Sequence, residues 1–243
     1  MRTFILGLAL SAAIAGPASA AELLTNGNFE TGTYAGWSAN TRAGSNGTLY
    51  ISTPGANAPQ SGLSTAGNGS GGNFYSVTDQ GGPGSYSLVQ AFTVPNVVTS
   101  LKLAFQMFAN NYAGGVFVDP VGLDHNVAPN QHARVDILIA GANAFTNNPA
   151  DIVANFFLGA DTGSNPHPYT NYAFDLFGLL TAGQSYQIRF GEVDNQLFFN
   201  QGVDNVSILA NAVPEPAAWA LMIAGFGLVG GAMRRRNVKV VFS

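Results

Sequence analysis

Apolar and polar positions alternate through the middle of the chain. Leu101, Leu103, Phe105 and Met107 interleave with Lys102, Ala104 and Gln106, the period of two that marks a half-buried strand. Arg134-Val135-Asp136-Ile137 and Tyr186-Gln187-Ile188-Arg189-Phe190 repeat it. The same pattern predicts strands over 48–52, 74–78, 86–94, 152–158, 173–179 and 203–209. That makes about nine strands, with no helix and no internal repeat between the two ends. Strands of this number and spacing favour an all-β sandwich over an α/β layer fold. Two long stretches lack the pattern. Residues 54–72, made largely of Gly, Ser, Ala and Asn, are expected to be a mobile or disordered connection. Residues 110–131 fit a binding loop and a disordered loop equally well.

The ends obey different rules. Met1-Arg2 gives a positive start, residues 4–15 are apolar, Gly16-Pro17 breaks the run, and Ala18-Ser19-Ala20 is a small-x-small cleavage site. This is the layout of a secretory signal peptide over residues 1–20, with the mature chain beginning at Ala21. At the other end Val213-Pro214-Glu215-Pro216 is extended and helix-free. An uncharged run at 217–233 follows, then Arg234-Arg235-Arg236. Seventeen residues rising about 1.5 Å each span roughly 25 Å, a little less than a ~30 Å hydrocarbon core. The run is read as a single, marginal transmembrane helix. The arginines and Lys239 hold its far end on the cytoplasmic side, and Trp219 falls at the outer interface. The expected organisation is a signal peptide, a domain over 21–212, and a tail over 213–243.

Composition changes this picture in two ways. The chain has no cysteine, which removes thiolate metal sites and cysteine nucleophiles; a core of this size needs no disulfides. The net charge of −4 is unevenly spread. Between Glu22 and Val213, twelve acidic residues face four basic ones, so the domain stands at −8 while the tail is basic. Such a domain repels phosphate backbones, which argues against nucleic acid as a partner and suits cations or neutral sugars.

The residues from 213 to 236 resemble the PEP-CTERM sorting signal in the order and spacing of Pro214-Glu215-Pro216, Trp219, the glycine-rich run and Arg234, Arg235 and Arg236. The resemblance implies delivery by the secretion machinery and processing by an exosortase, a membrane-embedded protease-transpeptidase. It also implies a passage through the inner membrane to the surface or extracellular matrix of an exopolysaccharide-making Gram-negative bacterium. Residues 237–243 extend beyond the usual end of such tails. The domain's opening, Asn26-Gly27-Asn28-Phe29-Glu30 followed by Gly36-Trp37, and its close, Val203-Asp204-Asn205-Val206-Ser207-Ile208, resemble galactose-binding-like jelly rolls found among carbohydrate-binding modules. In that family the first and last strands are neighbours and often share a structural calcium. Carried over, Glu30 and Asp204 are the expected carboxylate ligands, completed by backbone carbonyls.

Catalytic motifs are weak. Gly67-x-Gly69-x-x-Gly72 and Gly62-Leu63-Ser64-Thr65-Ala66 lie in a Gly/Ser stretch without the strand and helix that their chemistry needs. His125, His132 and His167 are scattered and read as surface residues. Glu192 and Asp194 share a strand face, but two residues apart they sit closer than a glycosidase pair requires. Trp37 reads as core. The expected function is a non-enzymatic, exported surface or matrix protein associated with exopolysaccharide. The alternatives are a carbohydrate-binding module proper and a hydrolase of matrix sugars.

Overall fold

The computed structural model describes residues 20–58, 62, 72–112, 115–118, 122–127, 129–211 and 216–234. Eleven strands and one helix follow in order: β1 Ala20–Glu22, β2 Ser38–Thr41, β3 Gly47–Ser52, β4 Tyr75–Gln80, β5 Gly84–Thr93, β6 Ser100–Asn111, β7 His132–Ile139, β8 Ile152–Gly159, β9 Thr170–Asp175, β10 Ser185–Asp194, β11 Phe199–Asn211 and α1 Pro216–Arg234. They form two antiparallel sheets. The first runs β3-β4-β11-β6-β9, with β1 added beside β11; the second runs β2-β5-β10-β7-β8. The domain is the all-β sandwich that the pattern predicts, with the jelly-roll form that the resemblance implies.

Alternation explains how the sheets close on each other. Leu101, Leu103, Phe105 and Met107 of β6 are buried against Val135 and Ile137 of β7 and Ile188 and Phe190 of β10 in one core. Phe105 meets Phe190 edge to face at 5.2 Å between centroids, and stacks on Tyr172 at 4.9 Å. Such pairs add about 0.5–1.5 kcal/mol beyond area burial. The second sheet is covered on its outer face as well. Arg189, wholly buried, pairs with Asp136 at 2.6 Å and donates to the carbonyls of Ala144 and Thr146. Arg134 pairs with the same carboxylate at 2.7 Å and holds Asn147. Burial alone would push the Asp136 carboxyl up, but the two guanidiniums hold it below its usual value.

Several expectations change. β9 lies three residues earlier than the 173–179 run, because Leu176 to Leu180 turn over through a Phe177–Leu180 bridge. β1 and β2 had no apolar alternation to announce them; both are short and largely exposed. In 110–131, Asn111 belongs to β6, Phe117 pairs with Gln131, and Leu123 is fully buried, so the described part of that connection is packed structure. Leu123 fits because β10 carries Gly191 beneath it; a Cβ there would lie 2.6 Å from its Cδ1. Most of 54–72 lies outside the described residues, as do residues 63–71 with the formal glycine motifs.

The expected C-terminal helix forms as α1, one residue longer at each end than the 217–233 run. Among the described residues no helix is long and apolar enough to cross a membrane. Along α1, Gly225, Gly227, Gly230 and Gly231 fall between the strongly apolar Leu221, Ile223, Phe226, Leu228 and Val229.

Candidate functional site

The first loop of the sandwich, 23–37, folds against the middle of β11. Gly27 makes this possible. Its carbonyl accepts the Val206 N–H at 2.9 Å, and a Cβ on Gly27 would lie only 1.8 Å from the Val206 carbonyl oxygen. No larger residue fits. Gln90 of β5 pins the loop from the other sheet, accepting the Thr25 N–H at 2.6 Å and donating to the Thr25 carbonyl at 2.9 Å. Phe29 and Trp37 turn inward, 5.6 Å apart, and Trp37 Nε1 donates to the Asn26 carbonyl. Trp37 is core, as its position in the opening motif predicts.

Among the described residues, non-glycine left-handed backbone is confined to this corner, at Asn26 (φ 52°), Phe29 (54°) and Asn205 (50°). A bulky residue such as Phe29 in this region costs on the order of 1–3 kcal/mol and persists where packing over-determines it. All three flank the two carboxylates singled out by the sequence. Phe29 turns its ring into the core and presents Glu30 outward. Asn205 sits in the register break of β11 between Asp204 and Ser207.

Glu30 and Asp204, far apart in sequence, face the same glycine. A Cβ on Gly72 would lie 2.5 Å from Glu30 Oε1 and 3.9 Å from Asp204 Oδ2. Glu30 accepts the N–H groups of Asn73 at 2.7 Å and Phe74 at 3.2 Å, and the Asn73 side-chain amide at 3.0 Å. Those bonds, the Asn73 amide foremost, lower its pKa. Asp204 is 1% exposed, and its Oδ1 accepts the Asn205 N–H at 2.7 Å. Among the described residues, its buried Oδ2 has no hydrogen-bond partner. Burial pushes this carboxyl up to about 7, the Asn205 N–H opposes that, and the Glu30 charge adds to it. Beside the pair lies a shallow cavity of about 500 Å³ lined by Thr25, Asn26, Asn28, Glu30, Thr31, Ala35 and Gly36.

Other candidates are not assembled into sites. His125, His132 and His167 are buried, not surface residues. Each is trapped where a loop folds onto a sheet end: His125 Nδ1 is 3.0 Å from Ser85 Oγ, His132 opens β7, and the His167 N–H donates to Asn110 Oδ1. Burial drives His132 down to about 4. Among the described residues no three His, Asp or Glu side chains gather as a metal group. Glu192 and Asp194 share β10 and are both buried. Ala20 and Ala21 lie in β1, paired with Asn211 and Ala210; Ala18 and the rest of the expected signal peptide lie outside the described residues. Pro214, Glu215, Arg235 and Arg236 also lie outside them, while Pro216 opens α1 and Arg234 closes it, a cation at the negative end of the helix dipole.

The molecule is therefore a jelly-roll sandwich with a strained, carboxylate-bearing corner and a C-terminal helix that ends at Arg234. Residues 212–236 match the PEP-CTERM protein-sorting motif. That motif marks an exported protein, held transiently in the membrane and processed by an exosortase. No curated protein matches the chain. Among solved structures, the chain is similar to TmCBM61, solved in complex with β-1,4-galactotriose (12% identity, 77% of this chain and 97% of that one, TM-score 0.46). It is similar to the K3 cleaved adhesin domain of Lys-gingipain from Porphyromonas gingivalis (19% identity, 77% and 98%, TM-score 0.47). It is also similar to a Stig cyclase from Fischerella sp. TAU (16% identity, 81% and 100%, TM-score 0.48).

Proposed function

We propose that this is a non-enzymatic surface protein whose sandwich holds matrix polysaccharide outside the cell after an exosortase has processed its tail. The observation that carries the reading is the position of the sorting motif, whose match begins at the residue after the last strand ends at Asn211. The whole sandwich is thus the cargo. Export through the secretion machinery follows from the layout of residues 1–20, and the destination is the cell surface or matrix of a Gram-negative bacterium.

The corner at Glu30 and Asp204 supports a binding role. Amide and hydroxyl side chains around the cavity suit the hydroxyls of a neutral sugar, and the acidic domain disfavours polyanions. A structural calcium fits the same corner on its own chemistry. An orphaned, buried carboxylate oxygen next to a second carboxylate is the hard, anionic oxygen pair that calcium prefers. Glu30 and Asp204 would hold the ion, and its charge would offset the cost of burying Asp204 in ionised form. Against hydrolysis stands the burial of Glu192 and Asp194, two residues apart on β10 and closer than a glycosidase pair requires.

The test is a glycan screen of the purified exported protein against neutral and acidic polysaccharides, including matrix extracted from the producing cells. Retention on a neutral glycan without release of reducing sugar is expected. Release of reducing sugar, lost on Glu192→Gln, would replace the binding role with a hydrolase.

A further inference from the structure

We infer that the end of the sandwich nearest the tail is a membrane-docking face, carrying Phe177, Leu179 and Val97 against the bilayer surface before the tail is processed. The inference rests on the sorting reading and adds a surface to it. Strand register puts these residues together. Asn211, the last residue of β11, pairs with Ser100, and its carbonyl accepts the Thr99 N–H at 2.8 Å. Lys102 pairs with Asp175, and the Leu176 N–H donates to the Leu101 carbonyl, so the chain after β9 emerges at the same end. The Gly183 N–H donates to the Val94 carbonyl at 2.9 Å, which joins the 94–99 and 176–184 turns. Phe177 is 53% exposed, Leu179 44% and Val97 46%. β9 lies two strand spacings from β11, roughly 10 Å.

The tether selects the occupant. Five Cα steps separate Asn211 from Pro216, the start of α1, so they cannot be more than about 18 Å apart. On α1, Leu221, Ile223, Phe226 and Leu228 are 74%, 71%, 69% and 65% exposed. The domain leaves them bare on all sides of the helix, and lipid is the solvent such an all-round apolar helix needs. Wherever α1 enters or lies on the bilayer, the Asn211 end is held within a headgroup layer's reach of it. Phe177 and Leu179 then stand where aromatic and aliphatic side chains favour the interface. The opposite end of the sandwich also carries exposed apolar residues, Val116, Phe117, Val118 and Leu197. It is separated from Asn211 by the length of β11, on the order of 40 Å, so the tether holds the Asn211 end, not this one, close to the membrane.

The absence of cysteine makes the test direct. Phe177→Cys, Val97→Cys and Leu197→Cys, each in the full mature chain, are labelled with an environment-sensitive fluorophore. Each is then reconstituted into vesicles of phosphatidylethanolamine and phosphatidylglycerol, with or without nitroxide on the lipid headgroups. Headgroup nitroxide is expected to quench the labels at 177 and 97 several-fold more than the label at 197. Phe177→Ser with Leu179→Ser should reduce quenching at 97 several-fold, which proximity through the tether alone would not do. Equal quenching at all three positions overturns the docking face. So does a label at 177 that is shielded from aqueous quencher yet untouched by lipid nitroxide, which would mean that α1 or another protein covers the patch. Failure of the chain to float with vesicles at all would remove both the docking face and the membrane-held stage of sorting.

Discussion

Single side chains show how much of this domain is arranged around buried charge. Asp194 is 3% exposed at the end of β10, and burial pushes it up to about 7 against the opposing N–H groups of Gln196 and Leu197. Its folded pKa therefore lies above its unfolded value. Between about pH 4 and pH 7 the folded state holds a proton that the unfolded chain has lost, so this group's contribution falls as pH rises through that window. Above pH 7 the whole cost is present; below pH 4 none is. Asp194→Asn keeps an acceptor for the backbone N–H groups and removes the titration. Urea unfolding should find the variant stabilised relative to the parent at pH 8, on the order of 2 kcal/mol, with the difference vanishing near pH 4. A difference independent of pH would mean that Asp194 is ionised throughout and held by charge partners.

At the scale of elements, what the sequence showed and what it hid follow from physics. β6, β7 and β10 alternate because one side of each faces the core, and they were legible. β1 and β2 were not, since a few exposed residues carry no periodicity. The outward face of β10 was misleading: Arg189 looks like a solvent residue, yet it is buried by carbonyls from 144 and 146 that no local pattern announces. The histidines misled for the same reason, being buried by loops rather than by strands. The juxtaposition of Glu30 and Asp204 was legible only through the two edge motifs that carry them. The left-handed residues that aim them, Phe29 and Asn205, had no signal because neither is a glycine. If calcium clips the first loop to β11, it binds the folded state alone and adds RT ln(1 + [L]/Kd), about 2.7 kcal/mol at a hundredfold excess over Kd. Millimolar calcium should raise the melting temperature by several degrees and chelator should reverse it, while Asp204→Asn should melt identically in both. The same melting curve for the parent protein with and without chelator, in samples shown free of metal, would remove the ion and leave the sandwich closed by hydrogen bonds.

The whole molecule is a cargo domain whose two ends meet. β1 pairs Ala21 with Ala210, so the expected mature N-terminus and the root of the sorting tail leave the same end of the same sheet. Glu22 fastens that end, accepting the N–H groups of Leu24 at 3.0 Å and Ile208 at 2.8 Å. Processing of the tail therefore acts beside the sandwich rather than through it, and loss of the tail should cost the fold nothing. Mass spectrometry of the protein recovered from the cell surface tests the account most directly. The account predicts a chain beginning at Ala21 and ending before Ala217, with Pro214→Ala/Glu215→Ala/Pro216→Ala retained in the membrane fraction at full length. Surface protein that still carries the complete 217–233 segment would contradict it.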